Sequence, residues 1–257
     1  MNSSRQIIIS LTSFGASEVR RHGQGWFVEL CRAAGADGVE IRGELLQGHA
    51  QELDELAAGI SQSGLSCVYS CPEMLWETSG LLNLDALQQS LARAVILNAP
   101  VLKMSIGHFE RASSDTLGVL KQTLERQNVR LLIENDQTAA AGTLDALQRF
   151  FGAADAYGLD LGMTFDMGNW HWVGECAVQA ADVFSNRVRY VHCKGVQRQP
   201  ARWVAVPLAE SSAPWRAILR ALPGDTPCAI EYPLIGDDLL SVTRDAIDGL
   251  RNLEKRS

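Results

Sequence analysis

The 257-residue sequence lacks an apolar segment long enough to cross a membrane, since no run approaches the roughly 18 apolar residues that a transmembrane helix needs. The first apolar run ends at Ser10, and it is too short to be the hydrophobic region of a signal peptide. We therefore expect a cytoplasmic protein without a membrane partner.

Basic residues are also in deficit. The 23 Lys and Arg residues stand against 30 Asp and Glu residues, which gives a formal net charge of −7. Proteins that bind nucleic acid gain much of their affinity from a basic surface that contacts phosphates. The charge therefore argues against a nucleic-acid partner and favours a small-molecule ligand.

Paired cysteine motifs are absent as well. The six cysteines contain no CxxC spacing, which argues against a structural zinc site, and they lie in apolar surroundings. We expect all six to be reduced residues of the protein core. They are Cys31, Cys67, Cys71, Cys176, Cys193 and Cys228.

Short apolar runs alternate with amphipathic helical segments from end to end, without a linker rich in Pro, Gly or Ser. This pattern predicts one domain over residues 1–257. The predicted strands are Gln6–Leu11, Gly38–Arg42, Ser66–Cys71, Val101–Ile106, Arg130–Asn135, Gly162–Asp166, Arg189–Lys194 and Cys228–Tyr232.

The spacing of these eight strands predicts the fold. One chosen residue per strand recurs at intervals of 26 to 39 residues, with a mean of about 32. Eight β-α units of this size most naturally close into a single (β/α)8 TIM barrel, an α/β fold, because each crossover is right-handed and places its helix outside the sheet. A doubly wound open sheet is the alternative. It is disfavoured because the sequence has neither GxGxxG after the first strand nor GxxxxGKS/T anywhere.

Four successive strands at the end of the chain each finish in a residue that can bind a metal. In a TIM barrel the carboxyl ends of the strands form the active-site mouth, and acidic side chains that converge there need a compensating cation. Three carboxylates and one imidazole suit Mn²⁺, Mg²⁺, Co²⁺ or Zn²⁺. The expected ligands are Glu134, Asp166, His192 and Glu231.

Other polar residues of the predicted strands are candidates for binding a substrate at this mouth. Glu40 and Arg42 share a strand face, where they would either hydrogen-bond sugar hydroxyls or neutralise each other. Tyr69 is a weaker candidate because a strand tyrosine is more often packed in the core. Lys103 points inward on its strand, which leads to His108.

Lys194 follows the proposed ligand His192 by two residues and so shares its strand face. A lysine that faces the barrel interior is costly unless a carboxylate or an anionic substrate pairs with it. After this strand, the segment 197–212 has no clear periodicity, and we expect it to be a flexible loop that covers the substrate.

The second half of the chain, about residues 129–234, resembles the xylose-isomerase-like TIM-barrel superfamily of sugar isomerases and epimerases. The matching segments are LLIENDQT, TFDMGNWHW, YVHCKGV and AIEYPL, and VEIR on the second strand is also similar. The resemblance implies the same four metal ligands. Its ketose epimerases further imply that Glu134 and Glu231 are catalytic, one taking a proton from one face of the substrate and the other returning one.

The resemblance also implies substrate-binding residues, with some departures. Asn169 stands where the epimerases have a histidine, and His171 follows two residues later. Arg198 matches the spacing of a substrate-binding arginine in those enzymes. Lys194 fits an HxKD pattern of sugar-phosphate isomerase-like members, although Gly195 replaces the Asp. All four of Asn169, His171, Lys194 and Arg198 are candidates for substrate contacts.

These features predict an isomerase or epimerase of a sugar, sugar phosphate or polyol, in which a divalent ion stabilises an enediolate formed by proton removal beside a carbonyl. A metal-dependent lyase that dehydrates a cyclic keto-polyol, like dehydroshikimate or inosose dehydratases, is the alternative. An endonuclease IV-like phosphodiesterase is disfavoured by the five histidines and the acidic charge. A non-catalytic sugar-binding barrel and a homo-oligomeric assembly stay open.

Overall fold

The computed structural model describes residues 5–254. Its strands are β1 (Ile7–Ser10), β2 (Gly38–Arg42), β3 (Ser66–Trp76), β4 (Val101–Gly107), β5 (Arg130–Glu134), β6 (Gly162–Asp166), β7 (Val188–Cys193), β8 (Gly195–Arg198), β9 (Trp203–Val206) and β10 (Cys228–Ile230). Its α-helices are α1 (Ala16–His22), α2 (Gln24–Ala34), α3 (Glu52–Ser63), α4 (Leu84–Ile96), α5 (Leu117–Glu125), α6 (Leu144–Ala156), α7 (Ala177–Phe184), α8 (Trp215–Ala221) and α9 (Leu239–Glu254).

Eight strands form one closed parallel barrel in the order β1-β10-β7-β6-β5-β4-β3-β2. Closure comes from β1, which pairs in parallel with both β2 and β10. Because the sheet has no free edge, the predicted (β/α)8 barrel is confirmed and the open-sheet alternative is wrong.

The barrel interior consists of an apolar layer below a polar one. Five buried residues on five strands pack together in the lower layer. A strand residue two positions later faces the same side and lies nearer the carboxyl end of the strand. The lower residues and their polar successors are Ile8 and Ser10, Val68 and Ser70, Leu132 and Glu134, Tyr190 and His192, and Ala229 and Glu231. The alternation of side chains along the strands thus places polar residues at one mouth of the barrel.

The larger apolar core lies between the strands and the surrounding helices. Trp170 belongs to it, in a short 3-10 helix over Asn169–His171 that follows β6. Its ring is fully buried, tilted against Phe165 at 5.4 Å and stacked on Phe184 at 6.1 Å. This anchor fixes the backbone that places Asn169 and His171 next to the barrel mouth.

Strand β3 is longer than its predicted range, which ended at Cys71. The pairing with β4 shifts register between Ser70 and Met74 and then continues to Trp76. Pro72, which lacks a backbone donor, lies within this register shift, and the strand continues beyond it.

The segment after β7 begins with a β-hairpin, so it is not a loop without regular secondary structure. Strands β8 and β9 pair antiparallel, with Gly195 opposite Val206. A side chain at Gly195 would meet the carbonyl oxygens of Val206 and Pro207 at 2.5 and 2.7 Å. The hairpin can therefore start directly after Lys194 only because residue 195 is a glycine.

All six cysteines are free thiols, and five of them are buried as expected. Cys176 is exposed just before α7, which corrects its assignment to the core. Among residues 5–254, no helix is both long and apolar enough to cross a membrane.

Candidate metal centre

Four side chains converge where β5, β6, β7 and β10 end. One donor atom from each lies within 4.8 Å of the donor atoms of the other three. Nδ1 of His192 is 2.9 Å from Oε2 of Glu231, 3.0 Å from Oε1 of Glu134 and 3.9 Å from Oδ2 of Asp166. The closed barrel thus brings together the four residues that the sequence assigned to a metal.

In each of these residues, one polar atom faces the shared centre and the other is held by a partner outside it. The outer contacts are His192 Nε2 with Glu40 Oε2 at 2.8 Å, Glu134 Oε2 with Lys103 Nζ at 2.6 Å, Glu231 Oε1 with Arg42 at 2.9 Å, and Asp166 Oδ1 with the N–H groups of Gly168 at 2.7 Å and Asn169 at 3.0 Å. Outer contacts of this kind orient metal ligands and fix the histidine tautomer.

The donor set fits a divalent cation. Three carboxylate oxygens and one imidazole nitrogen suit an ion of intermediate hardness. An ion about 2.1 Å from each ligand at right angles separates neighbouring ligand atoms by about 3 Å. The distances from His192 Nδ1 to Glu134 and Glu231 agree with that spacing.

The electrostatics of the centre also favour a divalent cation. Burial by itself raises the pKa of Glu134, but Lys103 and His192 outweigh it and lower the pKa to about 2. Asp166 behaves differently, because burial raises its pKa to about 6, with Lys194 opposing and Glu231 adding to the rise. Burial therefore disfavours the charged form of Asp166 more than Lys194 favours it, and a divalent ion would stabilise that charged form.

Lys194 contacts the inward-facing oxygens of two of the four residues. Its Nζ lies 2.6 Å from Oδ2 of Asp166 and 2.7 Å from Oε2 of Glu231, and it donates to Oδ1 of Asn169 at 3.2 Å. The side chain is 11% exposed. The ammonium group therefore lies against the centre itself.

Glu40, Arg42 and Lys103, which the sequence offered for substrate contacts, form the supporting charges of the centre. Glu40 is fully buried beneath His192 and also accepts from Arg42 at 2.7 Å. Lys103 is 2% exposed and lies between Glu134 and Glu40, at 2.6 and 3.9 Å. Arg42 additionally pairs with Glu44 at 2.9 Å on its outer side.

The remaining candidates lie at different distances from the centre. The Tyr69 hydroxyl accepts a hydrogen bond from Arg93 of α4 at 3.2 Å, so this side chain faces the helix layer. His108 is half-buried after β4, and its backbone N–H donates to the Trp76 carbonyl at 3.0 Å. The structure gives no contact between either residue and the four ligands.

His171 and Arg198 both lie against Trp203 of the hairpin. The His171 ring lies 5.0 Å from the ring of Trp203, and the guanidinium of Arg198 lies 5.5 Å over the same ring. Nε2 of His171 is buried without a hydrogen-bond partner among the described residues. Burial lowers the pKa of this imidazole, which favours its neutral form.

Sequence reasoning missed Asn135, which joins the β5 and β6 ends of the centre. Its fully buried side chain accepts from the Asp166 N–H at 2.9 Å and donates to the Asp166 carbonyl at 3.0 Å. Its own carbonyl accepts from the Asn169 side chain at 2.9 Å. The signal was its position directly after Glu134, at a strand end where an amide can bond the backbone of its neighbour.

Comparisons with known proteins agree with the fold. The family model described as xylose isomerase-like TIM barrel matches residues 28–253. No curated protein sequence matches the chain significantly.

Three solved structures illustrate the structural likeness. A xylose isomerase-like TIM barrel/4-hydroxyphenylpyruvate dioxygenase fusion protein has a TM-score of 0.78 at 14% identity, over 99% of this chain and 43% of the fusion protein. The chain therefore spans less than half of that protein. The probable 3-DHS dehydratase AsbF of Bacillus anthracis has a TM-score of 0.70 at 14% identity, over 95% of this chain and 98% of that one. The D-psicose 3-epimerase of Clostridium cellulolyticum H10, solved with D-tagatose, has a TM-score of 0.68 at 13% identity, over 96% of this chain and 99% of that one.

Proposed function

The chain belongs to the xylose isomerase-like TIM barrel family, and from that premise we propose that it is a divalent-metal-dependent isomerase or epimerase of a sugar, sugar phosphate or related polyol. The reaction would begin by removal of a proton from the carbon beside a carbonyl group. The observation that carries this proposal is the convergence of Glu134, Asp166, His192 and Glu231, each with its second polar atom held by an outer partner.

These four residues would hold the ion, and the chemistry of the donor set suits Mn²⁺, Mg²⁺, Co²⁺ and Zn²⁺. A bound divalent ion would supply Lewis-acid stabilisation of the negative charge that develops on the substrate carbonyl oxygen. Asn135 and Asn169 would keep the Asp166 end of the centre fixed through their hydrogen bonds.

The exposure of the side chains supports proton transfer by the two glutamates. The side chains of Glu134 and Glu231 are 14% and 10% exposed, whereas those of Asp166 and His192 are fully enclosed. One glutamate would take the proton at a carboxylate oxygen and the other would return one. The cation beside each carboxylate, Lys103 for Glu134 and Arg42 for Glu231, favours the ionised form in the glutamate that acts as the base. The glutamate that returns a proton would enter that step in its protonated form.

The likeness to D-psicose 3-epimerase supports a carbohydrate substrate and an epimerisation. The likeness to a 3-DHS dehydratase supports a second candidate, a lyase. In that reaction the same proton is removed, but a hydroxyl group on the next carbon then leaves as water and a double bond forms. Both reactions would use the same four ligands.

Proton NMR in D₂O distinguishes the two candidates. Metal-loaded protein is incubated with D-psicose, D-tagatose, L-ribulose and 3-DHS in turn. Epimerisation gives a product isomer with deuterium at the carbon beside the carbonyl, whereas dehydration gives new olefinic signals or, from 3-DHS, aromatic signals. The proposal expects one of these outcomes for the wild type and for the surface control Glu55→Gln, and loss of turnover in Glu231→Gln. Turnover in Glu231→Gln equal to that of the wild type would refute the proposed role of this carboxylate.

A further inference from the structure

Arg42, Lys103 and Lys194 lie at the mouth of the barrel. They differ in which carboxylate contacts each would keep if an ion were bound. Arg42 contacts Glu40 at 2.7 Å and Glu44 at 2.9 Å, apart from its contact with Glu231. Lys103 contacts Oε2 of Glu134, which is the outer oxygen of that carboxylate. Neither cation depends on the inward-facing oxygen atoms.

Lys194 depends on the inward-facing oxygens alone for its charge pairing. Its two carboxylate contacts are Oδ2 of Asp166 and Oε2 of Glu231. The other oxygen of Asp166 accepts from backbone N–H groups, and the other oxygen of Glu231 accepts from Arg42. An ion held by these two residues would therefore occupy the oxygens that Lys194 contacts and would repel its ammonium group.

The lysine cannot retreat far from the mouth. Its aliphatic stem packs on Gly168, where a β-carbon would lie only 2.9 Å from Cγ and from Cδ of Lys194. The backbone on its C-terminal side enters the β8–β9 hairpin at Gly195, which closely contacts the β9 end. The partner that remains within reach is the neutral amide oxygen of Asn169, at 3.2 Å.

Resting on the proposed function, we propose that Lys194 selects the substrate by pairing with a carboxylate group, so that the reaction acts on a hydroxylated keto acid in preference to a neutral ketose. A largely enclosed ammonium without an anionic partner is costly, and a substrate carboxylate provides that partner. A neutral sugar would offer Lys194 only hydroxyl groups. A single ammonium matches a singly charged carboxylate better than a phosphate dianion, which commonly binds where several backbone N–H groups or an arginine converge.

The first part of the test measures Mn²⁺ binding by isothermal titration calorimetry. It compares the wild type, Lys194→Met and the control Lys121→Met, which removes a lysine of α5 outside the mouth. Because the ammonium and the ion contact the same oxygens, Lys194→Met should bind Mn²⁺ as tightly as the wild type or more tightly. Weaker binding in Lys194→Met alone would mean that Lys194 supports the ion site, and it would overturn the proposal. If the wild type bound none of Mn²⁺, Mg²⁺, Co²⁺ and Zn²⁺, the proposed function would fail, which is a separate result.

The second part titrates Mn²⁺-loaded protein with three non-reacting probes of equal chain length, D-arabinonate, D-arabinitol and D-arabinitol 5-phosphate. We expect the wild type and Lys121→Met to bind D-arabinonate about tenfold or more tightly than D-arabinitol, as a charge-assisted hydrogen bond predicts. Lys194→Met should lose this preference, and Lys194→Arg should retain part of it. Equal binding of the acid and the alcohol by the wild type, an undiminished preference in Lys194→Met, or tighter binding of the phosphate would each overturn the proposal. The wild-type comparison holds even if a variant does not fold.

Discussion

Nε2 of His192 lies 2.8 Å from Oε2 of Glu40, and both side chains are fully enclosed. The two residues come from β7 and β2, which are separated in the barrel by β10 and β1. The contact directs Nδ1 of His192 toward the three inward-facing carboxylate oxygens. A residue of the second strand thus sets the orientation of a proposed ligand on the far side of the barrel.

Replacing Glu40 should therefore weaken metal binding without removing a ligand. We expect Glu40→Ala to lower Mn²⁺ affinity about 10- to 100-fold, the usual effect of removing an outer partner of a metal-bound histidine. Glu40→Gln keeps an acceptor for the Nε2 hydrogen and should lose less. Calorimetric titration of both variants beside Glu55→Gln checks this, and unchanged affinity in Glu40→Ala would show that His192 needs no such support.

The pair of Lys103 and Glu134 should make a large contribution to the stability of the barrel. Removing one member of a buried ion pair leaves the other without compensation, which costs about 3–5 kcal/mol. We expect a loss of that size for Lys103→Met in urea unfolding. The double variant Lys103→Met/Glu134→Gln should lose less than the sum of the two single variants, and simple additivity would show that the two residues are not coupled.

Trp170 should link the hydrophobic core to the metal centre. Trp170→Ala removes a ring that is buried against Phe165 and Phe184, so we expect the free energy of unfolding to fall by about 3–5 kcal/mol. Trp170 also adjoins Asn169 in the chain, so the Mn²⁺ affinity of folded Trp170→Ala should be lower than that of the wild type. Exposed Trp26→Ala is the matched control, and an equal effect of both changes on Mn²⁺ affinity would contradict the account.

Cys176 should be the reactive thiol of the native protein. Its five counterparts are buried, and burial raises the pKa of the Cys31 and Cys71 thiols, which keeps them protonated. Titration of the native protein with a chromogenic disulfide should release one fast equivalent, and Cys176→Ser should release none on that timescale. Two or more fast equivalents in the wild type would disagree with the burial of the other thiols.

The barrel and the four converging residues could be predicted from the sequence because both depend on local rules. Strand spacing of about 32 residues indicates eight β-α units, and the alternation of side chains along each strand places Glu134 above Leu132 and His192 above Tyr190. The carboxyl ends of the strands must then meet at one mouth. These relationships need no knowledge of distances across the barrel.

The supporting contacts could not be predicted because they cross the barrel. The sequence shows that Glu40 and Lys103 face inward, but their contacts with His192 and Glu134 depend on how the strands tilt and stagger when the barrel closes. For Tyr69, by contrast, alternation along the strand is sufficient. Its neighbours Val68 and Ser70 face the barrel interior, so its ring faces the helix layer and Arg93. The hairpin was missed because β8 and β9 are only four residues each, too short for a periodic signal.

One divalent ion should bind where Glu134, Asp166, His192 and Glu231 converge. The direct test is anomalous diffraction at the manganese edge from crystals of the protein grown with MnCl₂. We expect one strong peak about 2.0–2.4 Å from Oε1 of Glu134, Oδ2 of Asp166, Nδ1 of His192 and Oε2 of Glu231. We also expect Nζ of Lys194 to lie farther from Asp166 and Glu231 than it does without the ion. No peak among these four atoms at saturating Mn²⁺, or a peak only elsewhere on the protein, would show that these four residues do not form the ion site.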